Sequence, residues 1–482
     1  MAEQSKLRAS LARFAGILSE AEIEQILAIQ NQPLPTGIRI NPLKADPESA
    51  LASLAERYGW QVAKIPFCEN GWTIEHSPQS PGLTIEHRMG QYYLQDAASM
   101  VPVSLFDLSV DHPLVLDMAA SPGGKTTHLI DRTGDRGFIL ANDGSKGRIP
   151  ALRSVLSNWG AINFAITNYP GESFGAWFPE TFDRVLLDAP CSMENLRPTE
   201  NRPPRETTGD ERLRLQERQV QLLASGLTSL KVGGQMVYAT CSLAPEEDEA
   251  VVNAVLDQFP QALQIEDVSS KFTFQTPGIT AFGSQPFHPT LKRALRLWPH
   301  LTGMSGFFTA LITKTGAIPF ERQAPPARDF DRTSLMELDQ AAKDKALVEL
   351  EKTFGFALSS LLTDSGLRLF QRNQTLFLIP ELYLAHFREL PYEYIGMPLG
   401  KWVHDRFEPS AEFISRFGHH FTRGWVTIDD DQLDQWIAGR DIRYPQIENT
   451  PQGQYVLARD RLGRNLGLGK LLPKRLRNML PR

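Results

Sequence analysis

The chain has 482 residues, 41% hydrophobic and 22% charged, with a formal net charge of −6. This is the composition of ordinary globular protein with room for about two to four domains. Three cysteines, Cys68, Cys191 and Cys241, scattered over such a length exclude a disulfide framework and fit a reducing, cytoplasmic compartment. The net acidity supplies no overall attraction to nucleic acid, so any basic surface has to be local.

Taken in chain order, the opening stretch to Leu27 is polar and then amphipathic, without the apolar run of a signal peptide or membrane span, so no membrane role is expected. Residues 1–107 mix helical patterns with short apolar runs such as TGIRINPL and predict a small α+β domain that leads into a helix through GQYYLQDAASM. From Leu114 the rhythm changes to alternating strands and helices. LVLDM, GFILAN, FDRVLLD, QMVYAT and GFFTALITK read as strands. The segments after Gly124, from Ser145 to Asn158, from Asp210 to Leu230, and from Pro245 to Gln258 read as helices, the last with proline in its first turn. Repeated βα units predict a doubly wound, Rossmann-like α/β core over 108–316, with ligands at the carboxyl ends of the strands: Asp117, Asn142, Asp188 and Cys241. Residues 317–331, with Pro319, Pro325 and Pro326, are the expected linker, and 332–482 the expected C-terminal module.

Three constellations carry chemistry. DMAASPGGKTTH (117–128) is a strand, a small-residue turn and a helix start. Ala119, Ala120, Ser121, Pro122, Gly123, Gly124 and Lys125 would let backbone approach a ligand, with negative charge favoured at the helix N-terminus. The stretch nearly matches a nucleoside-triphosphate loop, but Ala119 stands at the first glycine position, and a plain structural βα turn is the simpler alternative. Asp143, after the next strand, is placed to accept from ribose hydroxyls, or to cap a helix. DAPCS (188–192) and ATCSLAPEEDE (239–249) each put a cysteine at a strand end. A single such cysteine is usually a small buried hydrophobe; two on the ligand-facing rim of one sheet favour a chemical role. Cys68, without such company, reads as structural. No metal site is expected.

These motifs, in this order on one sheet, resemble the RNA cytosine-C5 methyltransferases of the Nop/Sun family, and the resemblance spans about residues 36–314, from IRINPLK (with Arg39, Asn41 and Lys44) to RLWPHLTGMSGFF. It implies S-adenosylmethionine as cofactor, its methionine part held by residues 119–125 and its ribose by Asp143. It implies Cys241 as nucleophile and Cys191 as the thiol that helps release product. The chemistry accounts for two thiols and an acid. Carbon 5 of cytosine is a poor nucleophile until a thiolate adds at C6; a free thiol, with pKa about 8.5, needs nearby positive charge or hydrogen bonds to become that thiolate. Asp188 is the candidate for holding N3 and the exocyclic amine, besides lying in the cofactor crevice. Two departures from the family pattern bear on the site. Met193, Glu194 and Asn195 stand where glycines are usual after DAPCS, which predicts a reshaped base-positioning loop. TNYPGES offers Pro170 and Gly171 where relatives place an adenine-binding acid.

The end of the chain carries Arg459, Arg461, Arg464, Lys470, Lys474, Arg475, Arg477 and Arg482 against Asp460 alone. It resembles the close of a PUA-like RNA-binding module in the bacterial ribosomal RNA branch of the family. That resemblance implies small-subunit (16S) ribosomal RNA, or the small subunit itself, as partner, and the basic residues as phosphate contacts. Transfer RNA is the alternative substrate, and an RNA-binding or assembly protein with an impaired site, on account of Met193, Asn195 and Pro170, the alternative function.

Overall fold

The structure, a computed structural model, describes residues 8, 11–30, 32–196, 207–274, 276–404, 406–443 and 453–480. The N-terminal part opens with helix α1 (Glu20–Ile29), started by a reciprocal cap: the Ser19 hydroxyl accepts from the Glu22 N–H at 3.3 Å while the Glu22 carboxylate accepts from the Ser19 N–H at 2.8 Å. Strands β1 (Thr36–Ile40), β2 (Gln61–Lys64), β3 (Gly71–His76) and β4 (Tyr92–Leu94) follow, forming an antiparallel sheet in the order β2-β3-β1-β4.

Eight further strands share one sheet: β5 (Leu114–Asp117), β6 (Phe138–Asn142), β7 (Phe164–Thr167), β8 (Phe182–Asp188), β9 (Leu230–Thr240), β10 (Leu263–Ile265), β11 (Leu295–Leu297) and β12 (Phe307–Lys314), the hairpin of Ala281–Phe282 and Gln285–Pro286 standing outside it. The order is β10-β12-β9-β8-β5-β6-β7, closed at its far edge by Tyr394–Ile395, with β11 paired to β12. The five central strands are parallel. Helices α2 (Gly124–Thr133), α3 (Ile149–Trp159), α4 (Gly209–Ser229) and α5 (Glu249–Gln258) cover it.

Side chains alternate across each strand. Val115, Ile139, Leu186 and Val237 pack with Leu129 of α2 and Leu152 and Leu156 of α3. Leu116, Leu140, Val185 and Met236 pack on the opposite face with Leu222 and Leu223 of α4 and Val251 and Val255 of α5. With both faces covered, the strands are apolar throughout, which is why they read as unbroken hydrophobic runs. The chain proceeds from β5 outward to β7 and then returns to β8 on the other side of β5. The reversal opens a crevice over the carboxyl ends of β5 and β8, where the motif residues lie.

Two helices begin later than their sequence pattern. Lys146–Arg148 form a 3-10 turn before α3, and α5 begins at Glu249 rather than at Pro245. The second delay has a cause in tertiary bonding: the Tyr238 hydroxyl donates to the Glu247 carbonyl at 2.5 Å and the Thr240 hydroxyl to Asp248 Oδ1 at 2.6 Å, holding 247–248 against β9.

Beyond β12 the chain stays against the core. Ile318 and Phe330 are buried in it, and the Arg328 N–H donates to the Glu389 carbonyl at 2.8 Å. The C-terminal part contains two five-stranded sheets, and Phe370 and Ile379 of the first, with Tyr383 of the helix that follows, share a hydrophobic cluster with Leu114 and Phe138. The basic final stretch lies in the second. Arg464 donates to Asp460 Oδ2 at 2.5 Å and to Glu86 Oε1 of the N-terminal part at 3.0 Å; Arg459 donates to the Gly418 carbonyl at 2.6 Å; Arg461 pairs with Asp429 at 2.9 Å and Arg475 with Asp441 at 3.4 Å. Lys474 and Arg477 are exposed, and Arg482 lies outside the described residues. Four of the eight basic residues expected to meet phosphates thus have partners within the fold, three of them carboxylates, and Lys470 donates to the Tyr455 hydroxyl at 3.1 Å.

Candidate active site

The turn after β5 is braced from behind. The Ala120 N–H donates to the Asn142 carbonyl at 2.8 Å, the Ser121 N–H to Asp143 Oδ2 at 3.1 Å, and the Ser121 hydroxyl to the Arg148 carbonyl at 3.1 Å; the Ser121–Pro122 peptide is cis. Gly123 has φ 116°, and no side chain caps the helix that follows. A Cβ on Gly123 would come within 2.9 Å of Val155 Cγ1, and one on Gly124 within 2.9 Å of Tyr93 Cε1. The two glycines are therefore required by packing behind the loop, beyond the ligand approach expected of them. Arg39, fully buried, donates to the Gly124 carbonyl at 2.9 Å and to Thr127 Oγ1 at 2.6 Å and pairs with Asp131. Asn41 donates to the Gly90 and Trp159 carbonyls, and Lys44 to the Met89 and Asn158 carbonyls and the Ser415 hydroxyl. These three residues peg the N-terminal part to α2 and α3.

Three acids meet at the crevice. Asp117 accepts from the Thr126 hydroxyl at 2.7 Å, while its Oδ1 is buried without a hydrogen-bond partner among the described residues. Burial, helped by the Asp188 and Asp143 charges, pushes its pKa up to about 7. Asp143 accepts from the N–H groups of Ser121 and, at 2.9 Å, Ser145, and Arg148 lies 3.5 Å away. Asn142 is structural: its amide donates to the Met118 and Tyr169 carbonyls and accepts from the Thr167 hydroxyl and the Tyr169 N–H. Pro170, at the expected adenine position, only introduces the 3-10 turn Gly171–Ser173.

Cys191 and Cys241 come together at the ends of β8 and β9, their Sγ atoms 3.0 Å apart. Lys125 reaches from the glycine turn to donate to Asp188 Oδ2 at 2.6 Å, with its Nζ 5.2 Å from the Phe307 ring centroid. Burial works against the lysine charge, but Asp188, Cys241 and Asp117 outweigh it and raise its pKa. For Cys191, the hydrogen bond with Cys241 comes first, then burial, then the Cys241 and Glu247 charges; together they push the thiol well up. Cys68 lies apart, buried, with its Sγ 3.6 Å from His128 Nε2.

The loop after Cys191 keeps a glycine-like backbone without glycine. Met193 has φ 62° and Leu196 φ 56°, left-handed values that disfavour bulky residues by about 1–2 kcal/mol each. Side chains hold it there: Glu194 accepts from Arg13 at 3.1 Å and Arg212 at 2.7 Å, and Leu196 is buried with Leu11, Phe14, Leu243 and Trp298. Arg13, Arg212, Glu247 and the buried Asp248–Glu249–Arg296 cluster escape a sequence reading because their partners lie far along the chain. The acid run in APEEDE is the sole local signal.

Residues 106–313 match the family model for 16S rRNA methyltransferase RsmB/F, and residues 9–97 that for the N-terminal domain of 16S rRNA methyltransferase RsmF. The chain is 32% identical to ribosomal RNA small subunit methyltransferase F of Klebsiella pneumoniae (strain 342), covering 97% of this chain and 94% of the relative. It is equally 32% identical to the protein of that name from Vibrio vulnificus (strain YJ016), over 96% of this chain and 94% of the relative. Among solved structures, a methyltransferase homolog protein from Pyrococcus horikoshii superposes with TM-score 0.54 at 30% identity, covering 64% of this chain and 99% of that one. The core matched by the first family model carries the glycine turn and both cysteine loops, and the flanking parts match as well: the chain belongs to the RsmB/F family of 16S rRNA methyltransferases.

Proposed function

We propose that this enzyme transfers the methyl group of S-adenosylmethionine to carbon 5 of a cytosine in 16S ribosomal RNA, with Cys241 as nucleophile and Cys191 assisting release. The observation that carries this reading is the convergence of two thiols, 3.0 Å apart, with the Lys125–Asp188 pair over the switch point of the sheet. The names of the full-length relatives support the RNA.

The crevice fits the cofactor. Its amino-acid end carries an ammonium and a carboxylate; Asp117 offers a buried, unpartnered carboxylate oxygen, and α2 an uncapped N-terminus. Residues Ala119 to Lys125 and Asp188 would hold the methionine part, and Asp143 the ribose. The cofactor supplies an electrophilic methyl group. Lys125 favours the thiolate of Cys241, which adds to C6, forming an S–C6 bond and moving an electron pair to C5, where the methyl group is taken up. Asp188 holds the N3 and amino edge of the base. Loss of the C5 proton, with Cys191 beside the adduct, then restores the 5,6 double bond and expels the Cys241 thiolate. The cytosine has to be unstacked to reach the crevice. This reading places the enzyme in the cytoplasm with the small subunit. Among the described residues no helix is long and apolar enough to cross a membrane, and no cluster of side chains could hold a metal.

Cys191→Ala protein mixed with S-adenosylmethionine and ribosomal RNA, small subunits or transfer RNA should give a slow band on a denaturing gel that vanishes in Cys191→Ala/Cys241→Ala. If ribosomal RNA and subunits trap nothing while wild type transfers no methyl group, the reading fails. Trapping by transfer RNA alone moves the substrate.

A further inference from the structure

Each cysteine is followed by a serine, and both serines are held by one carboxylate. Glu247, fully buried, accepts from the Ser192 N–H at 2.8 Å, from the Ser192 hydroxyl, and from the Ser242 hydroxyl at 3.0 Å. Gln219 of α4 donates to the same carboxylate at 3.2 Å and to the Pro190 carbonyl at 2.8 Å. The two hydroxyls lie 3.3 Å apart. A buried carboxylate held by neutral donors is costly unless each donor is in place. The arrangement therefore fixes Ser192 relative to Ser242, and with them the adjoining sulfurs.

The surroundings of the two sulfurs differ. Lys125, paired with Asp188, faces Cys241 from the glycine turn. Cys191 faces Glu247 and Tyr238, with the Met193 N–H as its donor. The Lys125 cation thus acts on Cys241 and the Glu247 carboxylate on Cys191, and environments that push such a pair apart assign acid and nucleophile roles. We propose that Glu247 is a positioning residue that clamps the two cysteine loops in register and, opposed by Lys125, makes the two thiols chemically unequal, Cys191 remaining protonated while Cys241 attacks. The inference rests on the two-thiol reading above and adds no bond-making step to it.

The test is the pH profile of alkylation of each cysteine by iodoacetamide, read by peptide mass spectrometry on the full chain, alongside methyl transfer and adduct lifetime. In wild type Cys241 should react at lower pH than Cys191. In Glu247→Gln the Cys191 profile should move to lower pH, its rate below the midpoint rising about tenfold, the change in thiolate fraction produced by one pKa unit. Turnover should fall while the RNA adduct persists. Glu247→Asp, which keeps the charge but shortens the reach, should slow turnover and leave the Cys191 profile near wild type, separating clamp from charge should Glu247→Gln not fold. Superimposable profiles in wild type and Glu247→Gln, with unchanged turnover in both folded variants, overturn the proposal. Absence of any methyl transfer or adduct in wild type would remove the two-thiol reading instead, while the alkylation profiles would still decide whether Glu247 makes the thiols unequal.

Discussion

The catalytic rim and the basic C-terminal stretch are both conspicuous in the sequence, and the fold treats them oppositely. At the rim, residues from three separate motifs, Lys125, Asp188, Cys191 and Cys241, converge on one crevice. In the C-terminal stretch, Arg459, Arg461, Arg464 and Arg475 turn to carbonyls and carboxylates of the protein itself. The difference lies in what each signal depends on. A residue at the carboxyl end of a parallel strand is delivered to the crevice by topology alone. A surface arginine goes wherever an acid or a carbonyl lies within reach, and those partners are set by tertiary packing.

The largest expected effect breaks the support beneath the rim. Arg296 is fully buried and donates to Asp248 at 3.1 Å, to Glu249 at 2.5 Å and to the Leu243 carbonyl at 2.7 Å. Arg296→Ala leaves two buried carboxylates without their cation and should cost about 3–5 kcal/mol in urea unfolding. An unchanged midpoint would show that these acids are relieved by protonation or water. Next, Lys125→Met removes the cation shared by Asp188 and Cys241. Loss of one preorganised charge of this kind should lower kcat by about 10²–10³-fold at saturating cofactor. A variant with wild-type kcat would remove Lys125 from the chemistry.

How far the site is legible follows from the same distinction. The doubly wound core and the placing of 117, 188 and 241 at strand ends can be read from contiguous motifs, whereas the order of strands in the sheet and the strand Phe164–Thr167 come from the structure. Lys125 stands among the cofactor residues in the sequence, but its link to Asp188, 63 residues away, requires the crevice to exist first. Glu247 binds Ser192 across 55 residues and Arg13 binds Glu194 across 181, separations at which no local pattern survives. The missing glycines after DAPCS predict a reshaped loop. In that loop Met193 and Leu196 take left-handed φ, with Arg13, Arg212 and the burial of Leu196 offsetting the strain.

A third, smaller effect concerns pH. In the cofactor-free protein Asp117 has a pKa of about 7 against an ordinary 3.8, so the native state holds this proton more tightly than the unfolded chain. Its contribution to stability is complete below about pH 4 and is lost as pH rises through 7, at up to about 1.4 kcal/mol per pH unit. Asp117→Asn has no such titration, so the wild-type-minus-variant difference in unfolding free energy should decline between pH 4 and 7. A constant difference would place the carboxylate in contact with water.

The smallest effect separates the two fates of the C-terminal charges. If Lys474 and Arg477, exposed and outside the ion pairs described above, are the ones that meet phosphate, their replacement by alanine should weaken ribosomal RNA binding and reduce the slope of log Kobs against log salt by about 0.7 for each phosphate left unpaired, with little change in unfolding. Arg464→Ala should do the reverse. Its guanidinium joins Asp460 and Glu86, so its removal takes a cation from two buried carboxylates, of which Glu86 keeps Arg57 and the Tyr58 hydroxyl, and costs about 1.5–3 kcal/mol, while the salt slope stays that of wild type. Should Arg464→Ala flatten the salt dependence as strongly as the exposed pair does, the C-terminal charges act as one surface that the N-terminal part only partly covers, and the contrast with the rim would dissolve.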